Sequence, residues 1–413
     1  MDVRSYGLVT GAYWGLTITD GALRMLVLLH FHNLGYGPLE LSFLFLAYEL
    51  MGVVTNLLGG WAGSRSGLDW TLKVGLGLQI SALVAISFVE PDWNKVLSVI
   101  FVMACQALSG IAKDLTKISS KSAVKLVVGT DEESSLFKWV AILTGSKNAL
   151  KGAGFFLGSA LLTWIGFRKS LFLLAGVVAF CLVCVILFLK EELGKSKKAQ
   201  KLRLLSSDSP AINRLSIARI FLFGSRDIWF VVALPIFLDE QLGWSYSGIG
   251  GFLAGWIIGY GIVQSWAPSV IALLGRARDT IQVARLWALV LVIVTFGISI
   301  FVSADVSKGF IVVGGLIIFG LIFAINSSIH SFLILAYSED EDRVAINVGF
   351  YYAANALGRL FGTLLSGLTY LIGGITAALW VSACCLVVNW CLSLTLPPTR
   401  RTTSDGVGSE VER

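Results

Sequence analysis

Apolar runs of about twenty residues recur along the whole chain, separated by short polar stretches, and each is long enough to cross roughly 30 Å of hydrocarbon as a helix. The pattern predicts twelve spans, at residues 6–31, 38–62, 72–89, 96–127, 135–165, 169–189, 215–238, 247–273, 281–303, 308–337, 344–373 and 376–396. The period-two alternation of a membrane barrel strand does not appear. The first run carries Asp20 and Arg24 and has no small-residue cleavage site behind a short apolar core, so it reads as a span and not a removable signal.

Composition agrees with this reading and excludes a soluble domain: of 413 residues 56% are hydrophobic and 14% charged, with a mean hydropathy of +0.80. The expected fold class is an all-α polytopic membrane protein of twelve transmembrane helices in two six-helix halves. Residues 1–190 form the N-terminal half, 191–214 a basic cytoplasmic linker, 215–396 the C-terminal half and 397–413 a cytoplasmic tail. An even number of spans puts both termini on one side of the membrane. Of the 32 Lys and Arg residues, twenty fall on the loops and helix ends of that side, four (Lys95, Arg168, Lys169 and Lys308) on the other, and eight within spans. The basic excess marks the cytoplasm, which places both termini inside the cell (inner or plasma) membrane. Lys195, Lys197, Lys198, Lys201 and Arg203 in the linker read as part of that signal and not as a nucleic-acid site, and the pI near 9.0 has the same origin. The lipid bilayer is the expected partner of a monomer.

The halves echo each other. Leu34-Gly35-Tyr36 matches Leu242-Gly243-Trp244 and Ser119-Ser120 matches Ser327-Ser328 at a shift of 208; Asn148-Ala149-Leu150 and Leu162-Thr163-Trp164 follow at 207 and 206. Four ordered matches at nearly one shift support a parallel duplication of six spans, the architecture of major facilitator carriers. Gly60-Trp61-Ala62-Gly63-Ser64-Arg65-Ser66-Gly67, after the second span, resembles the signature loop of that superfamily, with Gly63 where an acid is usual; Gly275-Arg276-Ala277-Arg278 is its faint counterpart.

Chemistry is sought among ionisable groups inside spans, since each costs on the order of 3 kcal/mol at the bilayer centre. Asp20, Glu49, Lys113, Lys117, Lys147, Lys151, Arg226 and Arg359 all fall near mid-span at a 1.5 Å rise per residue. Asp20 with Arg24, Lys113 with Lys117, and Lys147 with Lys151 are i,i+4 pairs, each on one helix face. Arg24, Lys113, Lys117, Lys147, Lys151, Arg226 and Arg359 face only Asp20, Glu49, Asp114 and Asp227, an excess of three positive charges that suits an oxyanion. Asp20–Arg24 and Arg226–Asp227 read equally well as ion pairs that staple helices. Asn148 and Asn355 are candidates to orient the solute, and the four acids are candidates for proton coupling, Asp20 and Glu49 first. Gly152, Gly154 and Gly158, with Gly358 and Gly362, permit close helix packing.

Other chemistries find less support. His30 and His32 have only His330 to join them, too few for a metal centre. Cys181, Cys184, Cys384 and Cys385 lie in apolar helices and read as small hydrophobes before a thiol site for a soft metal or arsenite. No phosphate-binding Gly-Lys-Ser/Thr loop argues for direct ATP drive. A membrane enzyme would need a nucleophile with its base or a metal centre, and the sequence offers neither, so no cofactor is expected.

Three stretches carry a family resemblance: Thr19-Asp20-Gly21-Ala22-Leu23-Arg24 on to His30-Phe31-His32; Tyr48-Glu49; and Ser109-Gly110-Ile111-Ala112-Lys113-Asp114-Leu115-Thr116-Lys117 through Ser122. Together they resemble the ArsJ-type organoarsenical efflux permeases. The resemblance implies export of 1-arseno-3-phosphoglycerate, formed when glyceraldehyde-3-phosphate dehydrogenase takes arsenate in place of phosphate, and makes that enzyme a functional partner. Proton antiport is the expected drive. A carrier of another organic phosphate or carboxylate is the alternative, and a membrane enzyme or receptor the alternative of another class.

Overall fold

The computed structural model describes residues 3–66, 68–128, 133–189, 209–275, 280–338 and 341–398, and every regular element among them is helical. Helices α1 (Val3–Asn33), α2 (Pro38–Ser66), α3 (Leu68–Ile86), α4 (Lys95–Val128), α5 (Glu133–Ile165) and α6 (Phe167–Phe188) build the first half. The second contains α7 (Pro210–Phe230), α8 (Ala233–Glu240), α9 (Tyr246–Gly275), α10 (Thr280–Ser303), α11 (Lys308–Ala336) and α12 (Glu341–Leu394).

Among the described residues nine helical stretches are long and apolar enough to cross a membrane. One of them, Pro210–Glu240, joins α7 and α8 into a single span. Another, Asn347–Leu394, is two legs of α12 that meet at Gly373 and Gly374, where Gly374 takes φ 62°, a conformation open to glycine at no steric cost. With α1 and α5, 31 and 33 residues long, the bundle makes twelve crossings.

The break between α7 and α8 has a local cause. Pro235 has no N–H, and its ring excludes the carbonyl of Val231 four residues earlier, so the helix cannot continue through this turn. The freed N–H groups of Val232 and Ala233 both donate to the Ser366 hydroxyl on α12, at 3.1 Å each. All three residues are buried, and one side chain thereby satisfies two backbone donors that have no water to turn to.

Within the first half α1 packs on α5 and α6, and α4 on α2 and α3; within the second, α7 packs on α12, and α10 and α9 on α11. Close approach of α1 and α5 depends on Gly158, where an added Cβ would collide with the backbone of Ala22. The halves meet along two seams, α2 against the first leg of α12 and α5 against α9. At the end remote from the chain termini they are also tied by His32 with Asp239 (3.0 Å) and by the Tyr246 hydroxyl donating to Asn33 (3.2 Å). α6 turns Phe172, Leu173, Val177, Phe180 and Val183 outward, the surface a lipid-facing helix presents.

The spans expected from the sequence and the helices coincide, with two differences. α2 runs on as helix to Ser66, through the stretch expected to be the signature loop. The side chains of that loop, residues 276–279 of its counterpart, residues 190–208 of the linker and the tail from 399 lie outside the described residues. α7 begins at Pro210, inside the stretch expected as linker, with proline in the first helical turn where its missing N–H costs nothing.

Candidate functional site: a charged cluster between the halves

The polar faces of α1, α2, α4, α5, α7 and the first leg of α12 converge in the middle of the bundle. Glu49 on α2 is its hub: one oxygen accepts from Arg24 on α1 at 2.9 Å and from Arg359 on α12 at 2.5 Å. Arg359 reaches on through Nε to Asp227 on α7 at 3.3 Å, and Asp227 binds the neighbouring Arg226 at 2.5 Å. The result is a chain of alternating charge, Arg24–Glu49–Arg359–Asp227–Arg226, that crosses from one half to the other.

A second cluster belongs to the first half. Asp114 on α4 holds Lys117 at 3.1 Å and accepts from the Thr55 hydroxyl at 2.5 Å, while Lys117 also donates to Asn56 at 3.1 Å. Nearby, the Tyr48 hydroxyl donates to both oxygens of Asp20 at 2.8 Å. The ammonium of Lys113 sits 4.1 Å above the Tyr48 ring, and that of Lys151 lies 5.7 Å from the Phe155 ring. Neither lysine has a carboxylate within ion-pair distance among the described residues. Their fields nonetheless overlap those of Asp20, Glu49 and Arg359, which places both beside the Glu49 hub.

The two signs of charge are layered. Side chains of Glu49, Asp227 and Asp114 are 1 to 3% exposed, whereas those of Arg24, Arg226, Arg359 and Lys117 are 12 to 19% exposed. The acids are the more deeply buried and the cations the more exposed, so the accessible side of the cluster is positive, in a region of low dielectric where Coulomb interactions are strong.

Several expectations need correction at this level. Asp20 and Arg24 share a helix face but do not pair: Asp20 takes Tyr48 and Arg24 takes Glu49, because both partners on α2 lie closer than the next turn of α1. Arg226 and Asp227 do pair. Asn148 faces the α5–α9 seam, where it donates to Gln264 at 3.3 Å, away from the lysines. Lys147 lies one turn from Lys151 on α5. Asn355 accepts from Arg219 of α7 at 3.1 Å, one turn from Arg359. Arg219, near the start of its span and not among the candidates from the sequence, is 4% exposed in the structure. Tyr48, Thr55 and Asn56 are neutral and give no charge signal; Thr55 and Asn56, seven and eight positions on from Tyr48, lie on its face of α2. His32, set aside as a metal ligand, binds Asp239 instead.

Twelve crossings in two halves around a cluster of charged side chains deep in the bundle are the architecture of a secondary transporter. Residues 9–341 match the Major Facilitator Superfamily, and the chain belongs to it. No curated protein matches the chain. Among solved structures, a POT family transporter in complex with a thioalcohol-conjugated peptide is 14% identical, covers 95% of this chain and 96% of its own, and superposes with a TM-score of 0.72. A bacterial homologue of the iron transporter ferroportin in its inward-facing state is 18% identical over 95% and 99% of the two chains, with a TM-score of 0.66. A D-xylose–proton symporter is 13% identical over 96% of each chain at 0.66. At such identities these likenesses speak for the fold alone. The protein is an integral membrane transporter of the superfamily, an activity that calls for a carrier site and not an enzyme's.

Proposed function

We propose that this transporter carries a small, multiply charged organic anion, and that the anion is an organic arsenate ester of the 1-arseno-3-phosphoglycerate type leaving the cytoplasm. The observation that supports this most is the pair of half-buried ammonium groups, Lys113 and Lys151, which have no carboxylate within ion-pair distance among the described residues and stand beside the Arg24–Glu49–Arg359 cluster. A charge drawn partly out of water without a close counter-charge is costly, and an oxyanion guest removes that cost. The family resemblance of the Asp20–Arg24, Tyr48-Glu49 and Lys113–Lys117 stretches narrows the guest to a compound that carries both an arsenate and a phosphate group, and these two charged groups match a site with more cations than acids.

In this reading Lys113 and Lys151 receive one oxyanion, with Arg24 and Arg359 at its flank and Lys147 on the same face of α5. Arg24 and Arg359 are already held by Glu49, so the incoming anion competes with that carboxylate for its guanidinium partners. Since Glu49–Arg359 joins the halves, such competition loosens the contact that rocking must break. Proton coupling falls first to Asp20, whose partner is a neutral hydroxyl and which therefore changes charge without breaking an ion pair; Glu49, Asp114 and Asp227 each hold a cation. The proposal includes cytoplasmic termini in the cell membrane, division into halves at 1–190 and 215–396, a monomer, and glyceraldehyde-3-phosphate dehydrogenase as the source of the solute.

Everted vesicles containing the protein, supplied outside with arsenate, glyceraldehyde 3-phosphate, NAD and the dehydrogenase, test it directly. Arsenic accumulation that needs the complete mixture is the expected result. Equal uptake with the dehydrogenase omitted, or none in vesicles with folded protein, overturns the arsenate ester; a phosphate or carboxylate anion that then moves would identify the second reading, which the positive side of the cluster supports equally.

A further inference from the structure

Arg219 stands apart from the charge chain. It is 4% exposed, yet no carboxylate lies within ion-pair distance of it among the described residues. Its Nε donates to the side-chain oxygen of Asn355 and one terminal nitrogen to the backbone carbonyl of Ser327, both at 3.1 Å and both neutral. Aromatic faces supply the rest of its surroundings, Phe223 at 4.0 Å and Tyr351 at 4.9 Å from the guanidinium carbon. Tyr260 donates to the Ser327 hydroxyl at 3.2 Å. Buried His330, within electrostatic reach of Arg219, leaves Nδ1 without a hydrogen-bond partner among the described residues. Cation–π contacts and neutral acceptors reduce the cost of burying a guanidinium but do not cancel its charge.

Position ties this arginine to the charge chain. Phe223 has Arg219 over one side and Arg226 4.9 Å from its centre, so the two guanidinium groups are no further apart than those two distances together. Asn355 is half-buried and sits one turn, about 6 Å, from Arg359 on α12. Among the residues about Arg219, Asn355 and Tyr260 are half-buried, whereas Phe223, Ser327, His330 and Tyr351 are buried.

We propose that Arg219, with Asn355 and Tyr260, is a second anion subsite in the C-terminal half, separate from Lys113 and Lys151, so that the carrier grips a solute bearing an oxyanion at each end. This rests on the anion reading above and specifies it: a solute with an oxyanion at each end of a short carbon chain is expected to engage both subsites, whereas a single inorganic anion fills only one.

Binding to the purified protein in nanodiscs, followed by titration calorimetry with inorganic phosphate and with propane-1,3-bisphosphonate, tests the proposal. For Arg219→Gln the affinity for the bisphosphonate is expected to fall tenfold or more, the loss of a charge-assisted contact worth roughly 1.4 kcal/mol or above, with phosphate affinity unchanged. Asn355→Asp, which places a carboxylate against Arg219 and occupies the subsite from within, is expected to give the same selective loss and serves if Arg219→Gln does not fold. Unchanged bisphosphonate affinity in the folded variants, or equal loss of both ligands, overturns the second subsite while leaving the anion reading in place. Wild-type protein that binds neither probe overturns both.

Discussion

Glu49 of α2 and Arg359 of α12 form an ion pair at 2.5 Å across the two halves, and the same Glu49 oxygen holds Arg24 within its own half. One carboxylate thus joins the two bodies that alternating access has to separate. Its burial makes it costly to remove, because two guanidinium groups lose their partner at once.

Glu49→Gln is therefore expected to lower stability by several kcal/mol, in the range of about 3–5 kcal/mol seen when one member of a buried pair is removed. A thermal melt in detergent reads this. Distances between spin labels on α2 and α12 should broaden in the same variant. A melt equal to wild type would mean that the pair does not hold the halves together.

Lys113 and Lys151 are expected to matter for transport more than for folding. Lys151→Gln and Lys113→Gln should express and elute as wild type but lose most vesicle flux, about tenfold or more for each charge-assisted contact removed. Lys117→Ala should behave in the opposite way, losing stability by stranding Asp114, to which it is bound at 3.1 Å. Full flux in Lys151→Gln would remove that lysine from the site.

Among the described residues Asp20 binds the Tyr48 hydroxyl and no cation, so Asp20→Asn is expected to keep solute exchange while abolishing its stimulation by a pH gradient. The readout is counterflow against gradient-driven uptake in the same vesicles. Retained stimulation in Asp20→Asn would pass the proton role to another carboxylate.

Ser366 serves two backbone donors at the break between α7 and α8. Ser366→Ala leaves Val232 and Ala233 unsatisfied in an apolar setting and should cost about 1–3 kcal/mol per stranded group, a melt several degrees lower. Ser81→Ala, whose hydroxyl bonds only the Gly77 carbonyl of its own helix, is the control and should be nearly neutral.

Much of this protein is written in local pattern. Length and apolarity of each run determine a membrane helix, because the bilayer sets a fixed thickness and leaves no other way to satisfy the backbone. That logic places the twelve spans without reference to one another, and it marks every mid-span charge as exceptional, which is why Lys113, Lys151, Glu49 and Arg359 stand out before any fold is known. The break at Pro235 falls inside 215–238, which the apolar pattern alone reads as one unbroken span, and the serine that heals it comes from α12.

Pairing is different, because it depends on which faces meet after the helices pack. Asp20 and Arg24 lie one turn apart and seem made for each other in sequence, yet α2 brings Tyr48 to one and Glu49 to the other. Arg359 finds Glu49 from 310 positions away in the chain, and Arg219 becomes a buried cation only because α11 and α12 close over it. The sequence by itself determined that charges would lie in the membrane and that cations would outnumber acids. Only the tertiary structure decided which charges neutralise one another and which stay open to a solute, since electrostatic energy falls with distance in space and takes no account of distance along the chain.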